Sequence, residues 1–256
     1  MICFTMPGRT VDLNADMGEA HGDDATLVGL VTSANVACGF HAGDPMIMRA
    51  TVAAAVRAGV TVGAHPGYPD RSGFGRRDLA ATPDEIVADV LYQIGALQAV
   101  CRAAGTRVRY VKAHGALYNR AAKDAAAAKA IAEAVRLADP SLVLLCLAGS
   151  NMVEVTRGVG VIMAEEAFAD RAYAPDGSLV SRSVAGSVLT DPSVVAARAV
   201  RMVMDGEVEA LGGGVVRVRA DSLCVHGDTP GALDLVRAVR HALTAQGLTL
   251  SPFAHD

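Results

Sequence analysis

The sequence predicts an α/β fold: a barrel of seven parallel strands alternating with helices. Three observations carry that expectation. Apolar strand-length runs alternate with helix-length periodic runs along the chain, the pattern of a parallel sheet. Polar residues stand at the carboxyl ends of at least five of those strands, and only a closed ring gathers so many ends around one pocket. The GxGxxG turn often found in doubly wound sheets, the runner-up architecture, is missing, and Gly212-Gly213-Gly214 is a poor substitute. No repeat and no Gly/Ser/Pro-rich linker divides the chain. One barrel domain over residues 11–256 is therefore expected, behind a disordered leader at 1–10 in which Met6 is an alternative start.

Composition narrows the function classes. With 256 residues, 52% hydrophobic and 20% charged, the chain can bury a full core and is not a disordered polymer. A net charge of −4 argues against nucleic acid as partner. Tryptophan is absent and aromatics are few, which disfavours a base-stacking or sugar-stacking surface. The five cysteines (3, 38, 101, 146 and 224) form no CxxC pair and no zinc spacing, so reduced, buried thiols and a cytoplasmic location are expected. No run of about 18 apolar residues is present, so no membrane span is expected, and residues 1–10 lack the apolar core of a signal peptide.

The elements follow in order. In VDLNADMGE (11–19), period-two alternation sends Val11, Leu13 and Ala15 one way and Asp12, Asn14 and Asp16 the other. Three polar groups on one face of a buried strand are costly unless paired or functional. A helix over 24–32 leads to SANVACGFHAGDP (33–45), where an apolar strand turns through Gly39 and Gly43 to His41. Asp44-Pro45 then starts a helix that stops at Gly59. Residues 60–65 form the third strand, with Thr61, Gly63 and His65 inward. A long Gly/Pro-rich loop, 66–77, precedes the capping box of Thr82-Pro83-Asp84-Glu85 and a helix reaching about Ala104. The fourth strand, 108–114, carries Lys112 and His114 on one face. One alanine-rich helix is read over 117–138, a fifth strand over 142–148, then a short helix. The sixth strand, 159–166, has Gly160, Ile162, Ala164 and Glu166 on one face. A second long loop, 168–190, holds Asp170, Arg171, Asp176 and Arg182. A helix from Asp191-Pro192 to Gly206, a last strand at 222–226 ending in His226, and a helix opened by Thr229-Pro230 complete the chain.

His41, His65, His114 and His226 each end a predicted strand, and four at equivalent places point to a site. Asp44 and Asp228 have a sufficient structural reason at helix starts. Asp12 is read as a loop-holding acid, while Asp16 and Glu19, further along, are the better catalytic candidates. Lys112 sits on a strand and needs an anion, either Asp16, Glu166 or a substrate carboxylate. Arg171, in Ala169-Asp170-Arg171, could clamp a substrate carboxylate bidentately. The catalytic candidates are Asp16, His114, His226 and Glu166, with Asp16 as general base and His114 or His226 as acid or oxyanion donor. The substrate-binding candidates are Asn14, His41, His65, Lys112, Asp170 and Arg171. His41, Asp44 and His65 are the candidate ligands for a divalent metal such as zinc. HExxH, a Walker A loop and a GxSxG elbow are all absent.

Seven segments spread over nearly the whole chain resemble the LamB/YcsF family: DLNADMGE (12–19), SANVACGFHAGDP (33–45), VGAHPGYPDRSGFGRR (62–77), VKAHGALYN (111–119), EEAFADRAY (165–173), DGSLVSR (176–182) and CVHGDTPGA (224–232). Ala113 and Ser181 stand where that family carries proline. The resemblance implies a barrel of the glycoside hydrolase/deacetylase type. It also implies a hydrolase role in ATP-dependent cleavage of 5-oxo-L-proline, a stable lactam, to L-glutamate with 5-oxoprolinase subunits B and C as partners. No phosphate-binding loop is recognisable here, so ATP is expected to bind mainly on those partners. Two other readings stay open at this level: a metal-dependent deacetylase or amidohydrolase, and a non-catalytic lactam-binding subunit.

Overall fold

Alternation in the first strand decides the architecture: one side of it must face helices and the other a polar interior. The computed structural model describes residues 9–20, 23–227 and 231–254. Its elements are β1 (Thr10–Met17), α1 (Asp24–Leu27), β2 (Ser33–Ala37), α2 (Pro45–Ala58), β3 (Thr61–His65), α3 (Pro83–Ala103), β4 (Tyr110–Val111), α4 (Gly115–Ala121), α5 (Ala125–Ala138), β5 (Val143–Leu147), α6 (Asn151–Val159), β6 (Ile162–Phe168), α7 (Pro192–Met204), β7 (Glu207–Glu209), β8 (Val215–Arg217), β9 (Ser222–Cys224), α8 (Ala232–Ala245) and β10 (Thr249–Leu250).

Seven parallel strands close into a ring in the order β1, β2, β3, β4, β5, β6, β9 and back to β1. The register puts Asp16 opposite Asn35, Asn35 opposite Gly63, and Gly63 opposite Tyr110. Across the closure Glu166 stands opposite Ser222, and Ser222 opposite Asp12. β10 adds to the outer edge of β1, and β7 and β8 form an antiparallel hairpin outside the ring.

Val11, Leu13, Ala15 and Met17 pack outward in one core with Val52, Ile94, Ile131 and Leu243 of the helices. Asp12 and Asn14 are fully buried on the opposite, interior side. The amino end of the barrel is plugged by Tyr110, Leu145 and Ala164 beneath Phe253 and Ala254, with Phe253 edge-on to Tyr110 at 4.9 Å. Polar side chains fill the remaining interior up to the opposite mouth. The helix starts are those the sequence carries: Asp44 accepts from the Met46 and Ile47 amides, and Thr82 and Glu85 form the reciprocal box. Gly43 has φ +75°, and a Cβ there would meet Gly18 O at 2.6 Å, so only glycine turns this corner.

Several boundaries depart from the sequence reading. The alanine-rich helix is two, because Asp124 turns back to cap α5 through the amides of Ala126 and Ala127. Residues 24–32 make one helical turn and a 3-10 turn. Val159 ends α6 and Gly160 is its left-handed cap, so β6 begins at Ile162. Hydrogen-bonded strand in β4 and β9 is shorter than expected, and His114 and His226 lie just beyond it. The leader up to residue 8, Met6, Cys3, Asp228 and the Thr229-Pro230 helix start lie outside the described residues. Cys38, Cys101, Cys146 and Cys224 are free and buried. α3 is 21 residues long and apolar enough by length and composition to cross a membrane, although the sequence reading expected no such segment. Here it lies against the barrel through Ile86, Val90, Ile94 and Leu97.

A Cβ on Gly63 would overlap the ring of Tyr110, which is itself fully buried. Gly63→Ala should cost about 1–3 kcal/mol in urea unfolding, the scale of an overpacked core. Gly29→Ala, where nothing lies within 4 Å, should stay near wild type. Equal stabilities for the two variants would contradict this packing.

Candidate active site

The mouth is built on a charged floor. Lys112, 2% exposed, sits inside the ring with its ammonium 2.8 Å from Glu166 Oε1 and 3.5 Å from Asp16 Oδ1. It also donates to Asn14 Oδ1 at 3.1 Å and Cys224 Sγ at 3.1 Å. Asn14 donates to Glu166 and Ser222, Asn35 donates to Asn14 and Asp16, Tyr110 donates to Asn35, and Tyr118 donates to Glu166. Burial pulls the ammonium down, but Asp16, Cys224 and Glu166 outweigh it and hold Lys112 well above its ordinary value. Burial likewise pushes Asp16 up, but His65 and Lys112 overcome it and keep the carboxyl well below the usual range. Deeper still, Asp12 accepts from Thr32, Ser33 and Ser222, and burial raises it to about 6 against those bonds.

Above the floor, Glu19, His41, His65 and His114 place ligand-capable atoms within 4.8 Å of one another. Backbone carbonyls fix two of these rings. His65 Nδ1 lies 2.7 Å from Lys112 O, and His114 Nε2 lies 2.8 Å from Phe74 O. A carbonyl only accepts, so those nitrogens carry the protons. The remaining lone pairs, His65 Nε2 and His114 Nδ1, face each other at 3.0 Å, with Glu19 Oε1 at 3.8 and 3.3 Å. Two lone pairs and a carboxylate around one point require a shared proton or a cation between them. Burial, then His65, lowers His114 to about 3.

This donor set fits a borderline divalent ion: two imidazoles and a carboxylate, each imidazole anchored through its other nitrogen. His41 belongs to it differently. Its ring is stacked on that of His114, with centroids 3.8 Å apart and planes 3° from parallel. Its Nε2 lies 3.1 Å from Glu19 Oε1 and orients that carboxylate, while its Nδ1 is buried without a partner among the described residues. Asp44 stands apart from the cluster, exposed and occupied as the cap of α2, so of the expected His41/Asp44/His65 set the two histidines lie in the cluster, where Glu19 and His114 join them, and Asp44 does not.

A cleft of about 700 Å³ opens from this corner, lined by Asp16, His65, Lys112, His114, Arg171 and His226 among others. Of the other residues singled out from sequence, Asn14, His41, Glu166 and Asp170 are not among its lining. Asp170 accepts from the His226 amide and from Nδ1, both at 3.0 Å, which leaves Nε2 as the ring's working atom. Burial raises the Asp170 carboxyl, but His226 outweighs it and the net shift is downward. Arg171 is 5% exposed and donates to Ser187 O and Val180 O. Among the described residues no carboxylate pairs with it. Burial, then Arg182, pulls it down to about 10. A buried cation held by carbonyls among the described residues offers a site for an anion. Sequence reasoning gave Glu19 only a catalytic role and missed Asn35, Tyr110 and Tyr118, whose alternating or helical positions were visible but whose cross-barrel partners were not.

The LamB/YcsF family profile matches residues 11–256. The chain is 53% identical over 251 residues to a 5-oxoprolinase A subunit of Pseudomonas syringae pv. tomato, covering 96% of this chain and 98% of that one. It is 54% identical over 249 residues to the 5-oxoprolinase A subunit of Paracidovorax citrulli, covering 95% and 99%. The crystal structure of a lactam utilization protein from Thermus thermophilus matches with a TM-score of 0.88 at 50% identity, covering 94% of this chain and 99% of that one.

Asp12 gives the floor a pH signature. Its folded value of about 6 lies above its ordinary 3.8, so the folded state binds the proton more tightly. That contribution is complete below about pH 4 and is lost as pH rises through 6, a difference of roughly 3 kcal/mol. Asp12→Asn removes it. Between pH 4 and 7 the unfolding free energy of the variant should gain on wild type by roughly 2–3 kcal/mol. A pH-independent difference in chemical denaturation would exclude a raised Asp12.

Proposed function

The chain belongs to the LamB/YcsF family, and from that premise we propose that it is the A subunit of a 5-oxoprolinase. In this reading it opens 5-oxo-L-proline to L-glutamate, coupled to hydrolysis of ATP to ADP and phosphate, with subunits B and C as partners. The observation that carries the reading is a pairing within one cleft: a buried guanidinium, Arg171, that has no acid partner among the described residues, beside an acid and histidine cluster. A small lactam with one carboxylate asks for those two things.

Arg171 binds the carboxylate. Lys112, the other candidate, already has Glu166, Asn14 and Cys224 around its ammonium, so its part is to hold the floor charged and ordered. Asp16, ionised and oriented by Asn35, holds and deprotonates the attacking water. A carboxylate kept so low is a weak base and needs an acidified water. A divalent ion held by Glu19, His65 and His114, with His41 orienting Glu19, would supply that acidification. His226, braced by Asp170, donates from Nε2 to the departing lactam nitrogen. Glu166 keeps Lys112 paired and Tyr118 fixed. The lactam amide resists water, and a phosphate-binding loop is not recognisable in the sequence, so ATP-driven activation of its oxygen falls to the partner subunits.

The test is a reconstituted complex, following glutamate and ADP. Arg171→Met should raise KM at least about tenfold with a smaller change in kcat, the mark of lost ground-state binding. Asp16→Asn should lower kcat by a factor of about 100 or more. The isolated chain should release no glutamate with or without ATP. Glutamate formed by the isolated chain, or near-normal kinetics in both variants, would overturn the assignment.

A further inference from the structure

The loop over residues 66–77 is a fixed roof over the histidine corner. Gly67 exchanges two hydrogen bonds with the buried Gln93 side chain, His114 N donates to Pro66 O, and Ala116 N donates to Gly75 O. Arg71 reaches across to Gly39 O and Gly43 O, on either side of His41. The roof touches the rings directly: a Cβ on Gly75 would lie 2.7 Å from His41 Cβ and 2.8 Å from His114 Cδ2.

At the centre of this loop stands Asp70, 3% exposed. Its carboxylate accepts from Gly73 N, from Arg77 N and from the Arg77 guanidinium, while its carbonyl accepts from Gly75 N at 2.9 Å. These bonds close a tight turn whose exit residue, Phe74, has φ +55°, a left-handed backbone that side chains other than glycine rarely adopt. That unusual conformation aims Phe74 O at His114 Nε2, 2.8 Å away.

We propose that Asp70 is a positioning residue that, through the left-handed Phe74 carbonyl, locks His114 in its Nε2–H tautomer and so turns Nδ1 toward Glu19 and His65. Without that carbonyl, His114 can carry its proton on Nδ1 and donate it to Glu19 or His65, and the lone pair that the corner needs is gone. The role is the acceptor anchor that working histidines usually require. It deepens the reading of this corner as the reactive site and rests on it.

The experiment reads ring tautomers by long-range 1H–15N correlation in the full-length chain, with His114 assigned by comparison with His114→Gln. Wild type should show a single Nε2–H form. Asp70→Ala should give mixed tautomers at His114, with Zn2+ binding weakened about 10–100-fold, while Asp70→Asn, which keeps the oxygen that accepts from Gly73 N and the Arg77 guanidinium and loses only the acceptor for Arg77 N, should stay near wild type. Phe74→Gly, at ease in a left-handed turn, should keep the tautomer, whereas Phe74→Val, β-branched and disfavoured there, should lose it. If Phe74→Val fails to fold, the Asp70→Ala and Phe74→Gly pair still decides. A single Nε2–H form in Asp70→Ala, or its loss in Phe74→Gly, would overturn the proposal. Because the tautomer is read without substrate or partners, mixed tautomers alongside normal 5-oxoproline turnover would sustain the positioning role and defeat the functional reading instead.

Discussion

A single ammonium organises this barrel. Lys112 is the one lysine inside the ring, and a buried cation is tolerated only when its partners are complete. The partners come from three other strands: Asn14 and Asp16 from β1, Glu166 from β6, Cys224 from β9. Satisfying them fixes how those strands face one another, so the charge acts as a register pin as well as a liability. The same ammonium, with His65, keeps Asp16 ionised at the mouth. The packing of the ring and the charge state of Asp16 therefore depend on one group.

The histidine corner follows from this floor. Lys112 contributes twice, its ammonium to Asp16 and its backbone carbonyl to His65 Nδ1. Phe74 contributes the matching carbonyl to His114. Two main-chain acceptors thus choose the tautomers of two rings and turn both lone pairs to one point beside Glu19. Main-chain groups on pinned segments move little, so the corner is organised before any ligand arrives. His41 extends the arrangement by stacking on His114 and placing its Nε2 on Glu19.

Much of this was legible in the sequence where a local rule has no competitor. The alternation in 11–16 sorted outward from inward residues because a period-two run has only two faces. Asp44-Pro45 and the Thr82 box fixed helix starts because capping is a contact within one turn. The division at Ala122–Asp124 stayed hidden because alanine supports a helix on either side of a single capping acid. The hairpin of β7 and β8 was missed because three-residue strands leave no readable period. Side-chain partners were least legible. Asn14, Asn35, Tyr110 and Ser222 are polar or aromatic residues on inward parity, and only closure of the ring brings them together. Glu19 was weighed as an acid at a strand end, and its place among three histidines depends on two loops that enter from other strands.

The contrast between Lys112 and Arg171 shows why burial alone does not name an anion site. Both are buried cations beside the same cleft. Lys112 is surrounded by acids and amides from its own chain, so its charge is spent within the fold. Arg171 is held by two carbonyls, which fix the guanidinium without cancelling its charge. Fixing without neutralising is the condition for binding an anion at little ordering cost, since the fork is already immobile when the ligand arrives. The long loop after β6 provides that condition, because Val180 and Ser187 fold back over Arg171 while Asp170, one residue earlier, braces His226. Two adjacent residues on one loop thus shape the same cleft in different ways, Arg171 as a fixed guanidinium in its lining and Asp170 as the carboxylate that braces His226.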